Sequence, residues 1–279
     1  MSLSIIAIIL TAALLHAVWN AIVKTAIDRT TTLGLVAFGH VLPGAVMVVI
    51  LPLPSAESFV YIGLSTVVHF GYFYLLGRAY QHGDLSVVYP IARGIVPALV
   101  SLWAWLLLGE VLPPPVWIGI GLIVAGILLS SWKSLRSGVG KSALILSLGT
   151  GLCISIYSLV DGVGVRLSGG TLGYWAWGAF LHLFIASFAG WRRRDTLMQL
   201  PIRIWVTGIA GGMVSMTAYG LVLYAKNFAP LGAVSALRET SVIFATLIGF
   251  FILKEGNWQR RLGAAVLMVF GIAVIGLYA

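Results

Sequence analysis

Three side chains stand where charge is costly. Arg238 and Glu239 are adjacent inside one long apolar run, and Arg93 lies inside another, in Pro90-Ile-Ala-Arg-Gly-Ile-Val-Pro97. Ionisable groups in such surroundings are functional candidates by default. A guanidinium offers forked donors that suit a carboxylate or a phosphate-like group, and this role falls to Arg238. Glu239 then serves as a charge partner, an amine ligand or a proton carrier. Neighbours on a helix point ~100° apart, so the two do not face each other tightly. The alternative is an ion pair locking this helix to another. Arg93 has no acidic neighbour in sequence. It needs a remote partner, an anionic ligand, or an interface to which its long stem can snorkel. The flanking prolines and glycine free backbone carbonyls and permit a bend.

Polar residues four apart share a helix face. His16 and Asn20 do so beside Trp19, and Tyr157 and Asp161 repeat the spacing 141 residues later. Two such stripes suggest two walls of one cavity, in which His16 or Asp161 can titrate during transport. The plainer reading is interhelical hydrogen bonding; Asp161 sits near the expected end of its helix. His69, Tyr72, Phe73 and Leu76 form an aromatic face suited to an apolar or zwitterionic ligand, or to packing. Tyr219 and Ser241 are weaker candidates. Glu110 and Glu255 end their helices, where a carboxylate opposes the dipole, and are expected to cap loops or pair with basic groups.

The elements that hold these residues follow from composition. The chain is 60% hydrophobic and 9% charged, with 33 glycines and 10 prolines among 279 residues. A soluble domain carries roughly 25% charged residues, so the surface here must face lipid. Crossing ~30 Å of hydrocarbon takes ~20 helical residues. Ten apolar stretches meet that need, at 3–23, 33–51, 59–78, 86–108, 115–132, 142–161, 171–190, 204–224, 232–253 and 262–278. The runs are continuous rather than alternating, which excludes a strand barrel. The first stretch lacks a basic leader and a small-residue cleavage site, and reads as a retained span.

Loops after odd-numbered helices hold thirteen basic residues, among them Arg78, Lys133, Arg136, Lys141, Arg192, Arg193, Arg194 and Arg203. The remaining loops and both termini hold only Arg166 and Lys226. The bias puts the odd loops in the cytoplasm and both termini outside. This, with no groove-reading motif, explains the net charge of +9 without nucleic acid. The one cysteine, Cys153, allows no disulfide framework, and no metal or cofactor is expected. Gly121-Leu-Ile-Val-Ala125 is a small-xxx-small pattern for close helix contact; monomer and homodimer both remain open.

A shift of 145 residues superposes Arg93 on Arg238, Glu110 on Glu255 and Gly126-Ile127 on Gly271-Ile272. Five helices per half force the halves to insert in opposite senses, and inverted repeats mark transporters whose substrate lies at the repeat interface. The fold expected is all-α and membrane-integral, with ten helices as two inverted five-helix repeats, 1–137 and 138–279. The stretch Ser235-Ala-Leu-Arg-Glu-Thr-Ser-Val-Ile-Phe-Ala-Thr-Leu-Ile-Gly249 resembles the ninth-helix signature of EamA-type members of the drug/metabolite transporter superfamily. So do His16-Ala-Val-Trp-Asn-Ala-Ile-Val-Lys24 in the first helix and Pro90 to Glu110 in the fourth. The resemblance implies a central cavity lined by helices 1, 3, 4, 6, 8 and 9 and alternating-access movement of metabolites, often exported. Members are commonly described with both termini cytoplasmic, the reverse of the charge count.

The expected activity is secondary transport of an amino acid or similar zwitterion or anion, by exchange or with protons. Phosphonates, organic acids and nucleotide-linked sugars stand behind it. An intramembrane enzyme needs paired aspartates, a His-Glu-x-x-His or a Gly-x-Ser-x-Gly, and a pump needs a phosphate-binding glycine loop; none occurs. An intramembrane enzyme or a channel is the alternative, although no filter of repeated carbonyls is recognisable.

Overall fold

The structure is a computed structural model that describes residues 1–25, 29–83, 85–130, 132, 136, 138–251 and 258–279. Glu255 and Lys133, which figured in the sequence reading, lie outside the described residues. Fourteen helices make up the described chain: α1 Leu3–Thr25, α2 Arg29–Ile50, α3 Ser58–His82, α4 Leu85–Gly94, α5 Val96–Leu108, α6 Pro114–Ser130 and α7 Lys141–Leu167. The second half holds α8 Thr171–Leu181, α9 Leu183–Arg192, α10 Arg194–Met198, α11 Ile202–Lys226, α12 Leu231–Arg238, α13 Ser241–Phe251 and α14 Trp258–Tyr278. Backbone polar groups have no water to bond within a bilayer, so helices satisfy them internally.

Among the described residues eight helical stretches are long and apolar enough to cross a membrane, and two shorter apolar helices, Pro114–Ser130 and Gly263–Tyr278, accompany them. These fall on the ten expected stretches. The Met1 ammonium donates to the Ala279 carbonyl oxygen, so both termini lie at one end of the bundle, as an even number of crossings requires. The exterior shows large apolar side chains along its length, including Val49, Val67, Leu107, Ile118, Ile145 and Phe270. These are lipid-facing positions.

Helix pairing follows a two-fold pattern. α1 packs on α11 as α7 packs on α3, and α1 meets α12 and α13 as α7 meets α4 and α5. α2 lies against α8 and α9, α5 against α12, and α6 against α14. The α6–α14 seam shows the symmetry at atomic scale. A Cβ on Gly119 would come within 2.9 Å of the Gly271 carbonyl oxygen, and one on Gly126 within 2.9 Å of that of Ala264. The partners are the same pair of positions, 145 apart, taken crosswise. Gly121 meets no neighbour within 4 Å; the small-residue contact inside the chain thus runs through Gly119 and Gly126 instead of Gly121 and Ala125.

The two halves also break their helices at matching places. α4 gives way to α5 at Ile95, and α12 to α13 at Glu239-Thr240. Residue 95 shifted by 145 is residue 240. Interrupted helices at corresponding positions in two repeats point to a transporter's binding site.

Candidate functional site

The breaks place the buried charges. Arg93 at the end of α4 and Arg238 at the end of α12 are each 4% exposed, and Glu239 in the second break is fully buried. Arg93 Nε donates to Glu239 Oε2 at 2.8 Å, and the Arg93 guanidinium also lies 5.9 Å from the Tyr89 ring. Arg93 therefore does not snorkel; its remote partner is Glu239, and its Nη2 is buried with no hydrogen-bond partner among the described residues. Arg238 Nε stands 3.9 Å from Glu239 Oε1, an ion-pair distance but no hydrogen bond. Arg238 Nε and Nη2 and Glu239 Oε1 are buried with no hydrogen-bond partner among the described residues. An uncompensated polar atom in such a place costs about 1–3 kcal/mol, and more when charged.

Arg238 lines a central cavity of about 60 Å³. His16 and Trp19 of α1, His69, Tyr72 and Phe73 of α3, Tyr157 of α7 and Tyr219 of α11 share its wall. Aromatic packing holds this wall in shape. His69 stacks on Tyr157 at 4.0 Å, Tyr72 meets Phe73 edge to face at 5.2 Å, and Trp19 Nε1 donates to His16 Nδ1 at 3.0 Å. Asn20 turns back onto its own helix, donating to the His16 carbonyl at 2.7 Å, and is absent from the cavity wall. Leu76, at the end of the aromatic face, packs in the core with Trp19, Val23 and Val88.

Asp161 lies deeper than its expected position near a helix end suggests. α7 continues to Leu167, and Asp161 is 2% exposed. Its two carboxylate oxygens accept from the Tyr174 hydroxyl at 2.8 Å and from the Tyr219 hydroxyl. It borders a small adjoining pocket rather than the central cavity, together with His69 and Tyr219, which border both.

Three findings exceed the sequence reading. His40 and His182, on helices outside the set that the resemblance implies for the cavity wall, line the central cavity and the adjoining pocket. Their rings lie 4.5 Å apart, and His182 is 5.3 Å from His69. Lys226, counted as a loop charge, is 2% exposed; its Nζ donates to the Ser158 carbonyl at 2.9 Å and lies 5.5 Å from the Tyr219 ring. Arg166, the other basic residue on that side, donates to Glu110 at 2.6 Å and to the carbonyls of Lys226 and Ala229. Glu110 also accepts from the backbone N–H of Leu231 at 2.9 Å, holding the start of α12. A shift of 142 pairs His40 with His182, a signal present in the sequence.

A second cavity of about 700 Å³ opens among α2, α3 and α9 on the side of the basic loops, with Arg78, Arg192 and Arg193 at its rim. Phe73 borders this vestibule and the central cavity alike. One aromatic ring thus stands between the wide space and the narrow one.

This is a polytopic membrane protein whose halves pair helix for helix around a central cavity. The EamA-like transporter family model matches residues 3–132. A putative ethidium bromide resistance protein, found in Escherichia coli and in Pseudomonas aeruginosa, is 38% identical over 90 residues, covering 30% of this chain and 78% of the relative. The quaternary ammonium compound-resistance protein QacE of Escherichia coli is 34% identical over 88 residues, 30% of this chain and 80% of its own length. A solved crystal structure superposes with a TM-score of 0.76 over 99% of this chain and 98% of the other, at 18% identity, which shows the shared fold. The chain belongs to the EamA-like transporter family.

Proposed function

We propose that this chain is a secondary transporter for a small zwitterionic or anionic metabolite, an amino acid or a molecule like it. The observation that carries the reading is the open pair of buried groups beside the central cavity, Arg238 Nε and Nη2 and Glu239 Oε1, none of them with a hydrogen-bond partner among the described residues. A carboxylate on the substrate meets Arg238 in forked geometry. A substrate ammonium has Glu239 Oε1 as its acceptor, and the aromatic wall receives the apolar portion. The transporter works by alternating access of two inverted repeats, 1–137 and 138–279, around this point.

Cation export is the rival, because relatives are named for resistance to ethidium bromide and quaternary ammonium compounds. The charges argue against it here. Arg93, Lys226 and Arg238 outnumber Asp161 and Glu239 among the described buried residues. Both Asp161 oxygens are taken by tyrosine hydroxyls, and Glu239 Oε2 is bound to Arg93, which leaves a single carboxylate oxygen, Glu239 Oε1, beside the Arg238 cation. The central cavity is also far below the roughly 300–1,000 Å³ of drug-sized sites.

The chain is placed in the cytoplasmic membrane with basic loops inside and termini outside. Tying Arg166 and Lys226 into the protein removes the two exceptions to the charge bias. Single cysteines at Ser137 and Pro114 in a Cys153→Ala background check this; thiol labelling of position 137 from outside intact cells overturns it.

A thermal-shift screen of the purified protein against metabolite classes tests the substrate site, with Arg238→Ala and His16→Ala alongside. The expected result is stabilisation by carboxylate-bearing zwitterions in the wild type, lost in both variants. Stabilisation retained in both overturns the site.

A further inference from the structure

His40, His69 and His182 line the central cavity and also a small adjoining pocket, where Asp161 joins them. The adjoining pocket has a volume of about 30 Å³, and its wall includes His40, Ser65, His69, Asp161 and His182. That is room for about one water, with more than the two to four polar partners a water needs. His69 Nδ1 lies 2.9 Å from the Ser65 carbonyl oxygen, and His182 Nδ1 lies 2.8 Å from that of Gly178. A carbonyl only accepts, so each Nδ1 carries the hydrogen and each Nε2 is left as the basic atom. His40 Nε2 is buried without a hydrogen-bond partner among the described residues. No group of residues with metal-holding geometry occurs among the described residues, so the imidazoles do not form an ion cage.

We propose that Asp161 with His69, His182 and His40 forms a proton-binding site, on side chains other than Arg238 and Glu239, through which transport is coupled to proton movement. The proposal rests on the transport reading above. An incoming proton adds to an Nε2 lone pair of the imidazole cluster, and the imidazolium so formed is offset by the Asp161 carboxylate. No other bond changes, and the proton leaves by the same atom. Tyr219 links the two parts, since its hydroxyl donates to Asp161 and its ring lies 5.8 Å from that of His69.

Position makes the site suitable for coupling. His40 and His182 come from a helix pairing, α2 with α8 and α9, that the two-fold pattern maps onto itself, as it does α6 with α14. Both halves therefore feel a charge placed there, and alternating access moves one half against the other. The groups facing the cluster are His16 on α1, Tyr72 on α3, Tyr157 on α7, Tyr174 on α8, Tyr219 and Lys226 on α11, and Arg238 on α12, with Arg93 and Glu239 beyond it. Lys226 and Arg238 oppose protonation and Asp161 favours it. A substrate anion on Arg238 shields one of the opposing charges, which links proton binding to substrate binding.

The test is a 15N-histidine NMR titration of the full chain in lipid nanodiscs from pH 4.5 to 8.5, which needs no substrate. The chain has five histidines, assignable by single substitutions, and exposed His82 serves as internal control. The expected result is a shared transition of His40, His69 and His182 whose proton affinity drops about tenfold in Asp161→Asn, with His82 unchanged. Cluster signals that stay fixed across the range, or that titrate identically in wild type and Asp161→Asn, overturn the proposal. A second measurement covers a variant that misfolds. Ser215 lines the central cavity; a cysteine placed there in a Cys153→Ala background reports opening through its modification rate by a methanethiosulfonate. That rate is expected to depend on pH and to lose the dependence in His182→Gln. Unaltered dependence in His182→Gln sinks the proton site whatever the substrate screen finds.

Discussion

Arg93 and Arg238 occupy the same place in two halves of one chain and have opposite fates. Each ends the helix before a break, and each is buried to the same degree. The residue after Arg238 is Glu239, whereas the residue after Arg93 is Gly94. One carboxylate therefore serves two guanidiniums, and the hydrogen bond goes across the halves to Arg93. Arg93 Nε is bonded by protein, whereas Arg238 has neither Nε nor Nη2 bonded; Arg93 Nη2 is likewise buried without a hydrogen-bond partner among the described residues. A symmetric scaffold with a single asymmetric charge gives its two arginines different partners, a lock at Arg93 and, in the proposed function, a receptor at Arg238.

The largest expected effect comes from breaking the lock. Removing one partner of a buried ion pair costs about 3–5 kcal/mol, so Arg93→Ala and Glu239→Gln should both lower the unfolding midpoint sharply in detergent. The double variant Arg93→Ala/Glu239→Ala should cost less than the two singles added, a coupling that a double-mutant cycle reads directly. Arg238→Ala sharpens the contrast. It removes a buried cation without a hydrogen bond, so its unfolding midpoint should match or exceed that of the wild type while ligand stabilisation disappears. Equal losses of stability in Arg93→Ala and Arg238→Ala erase the distinction. A smaller effect, about 1–2 kcal/mol, is expected for Tyr219→Phe, which leaves an oxygen of buried Asp161 short of a donor. The smallest belongs to Glu110→Ala. Its pair with Arg166 is partly exposed and such pairs contribute at most about 1 kcal/mol, so a loss near that figure should come mainly from the freed Leu231 N–H.

The ten apolar stretches and the repeat were legible because lipid demands continuous apolar helices and because intramembrane charges are rare enough to align. The breaks in the fourth and ninth helices were half legible. Pro90, Gly94 and Pro97 announce the first, while Arg238-Glu-Thr-Ser241 carries neither proline nor glycine and breaks only where tertiary contacts require it. Partners of buried groups were not legible. The bond from Arg93 to Glu239 spans 146 residues, and no local rule selects it over Arg238, one residue away. His40 and His182 stood in helices that the resemblance places at the periphery, yet the pairing of α2 with α8 and α9 brings them inward. Lys226 ends a helix, where a cation suits the dipole, and nothing in its neighbourhood signals that its stem runs inward to Ser158. Asn20 shares a face with His16 as its spacing requires, but bonding to its own backbone takes it out of the wall.

The most direct measurement is counterflow in proteoliposomes preloaded with unlabelled solute, comparing labelled carboxylate-bearing zwitterions with ethidium, in wild type and in Arg238→Ala. Saturable uptake of a zwitterion by the wild type, abolished in Arg238→Ala, is the expected outcome. Ethidium counterflow that proceeds equally well in Arg238→Ala, with no zwitterion moved by either protein, contradicts the assignment of Arg238 as the substrate's partner.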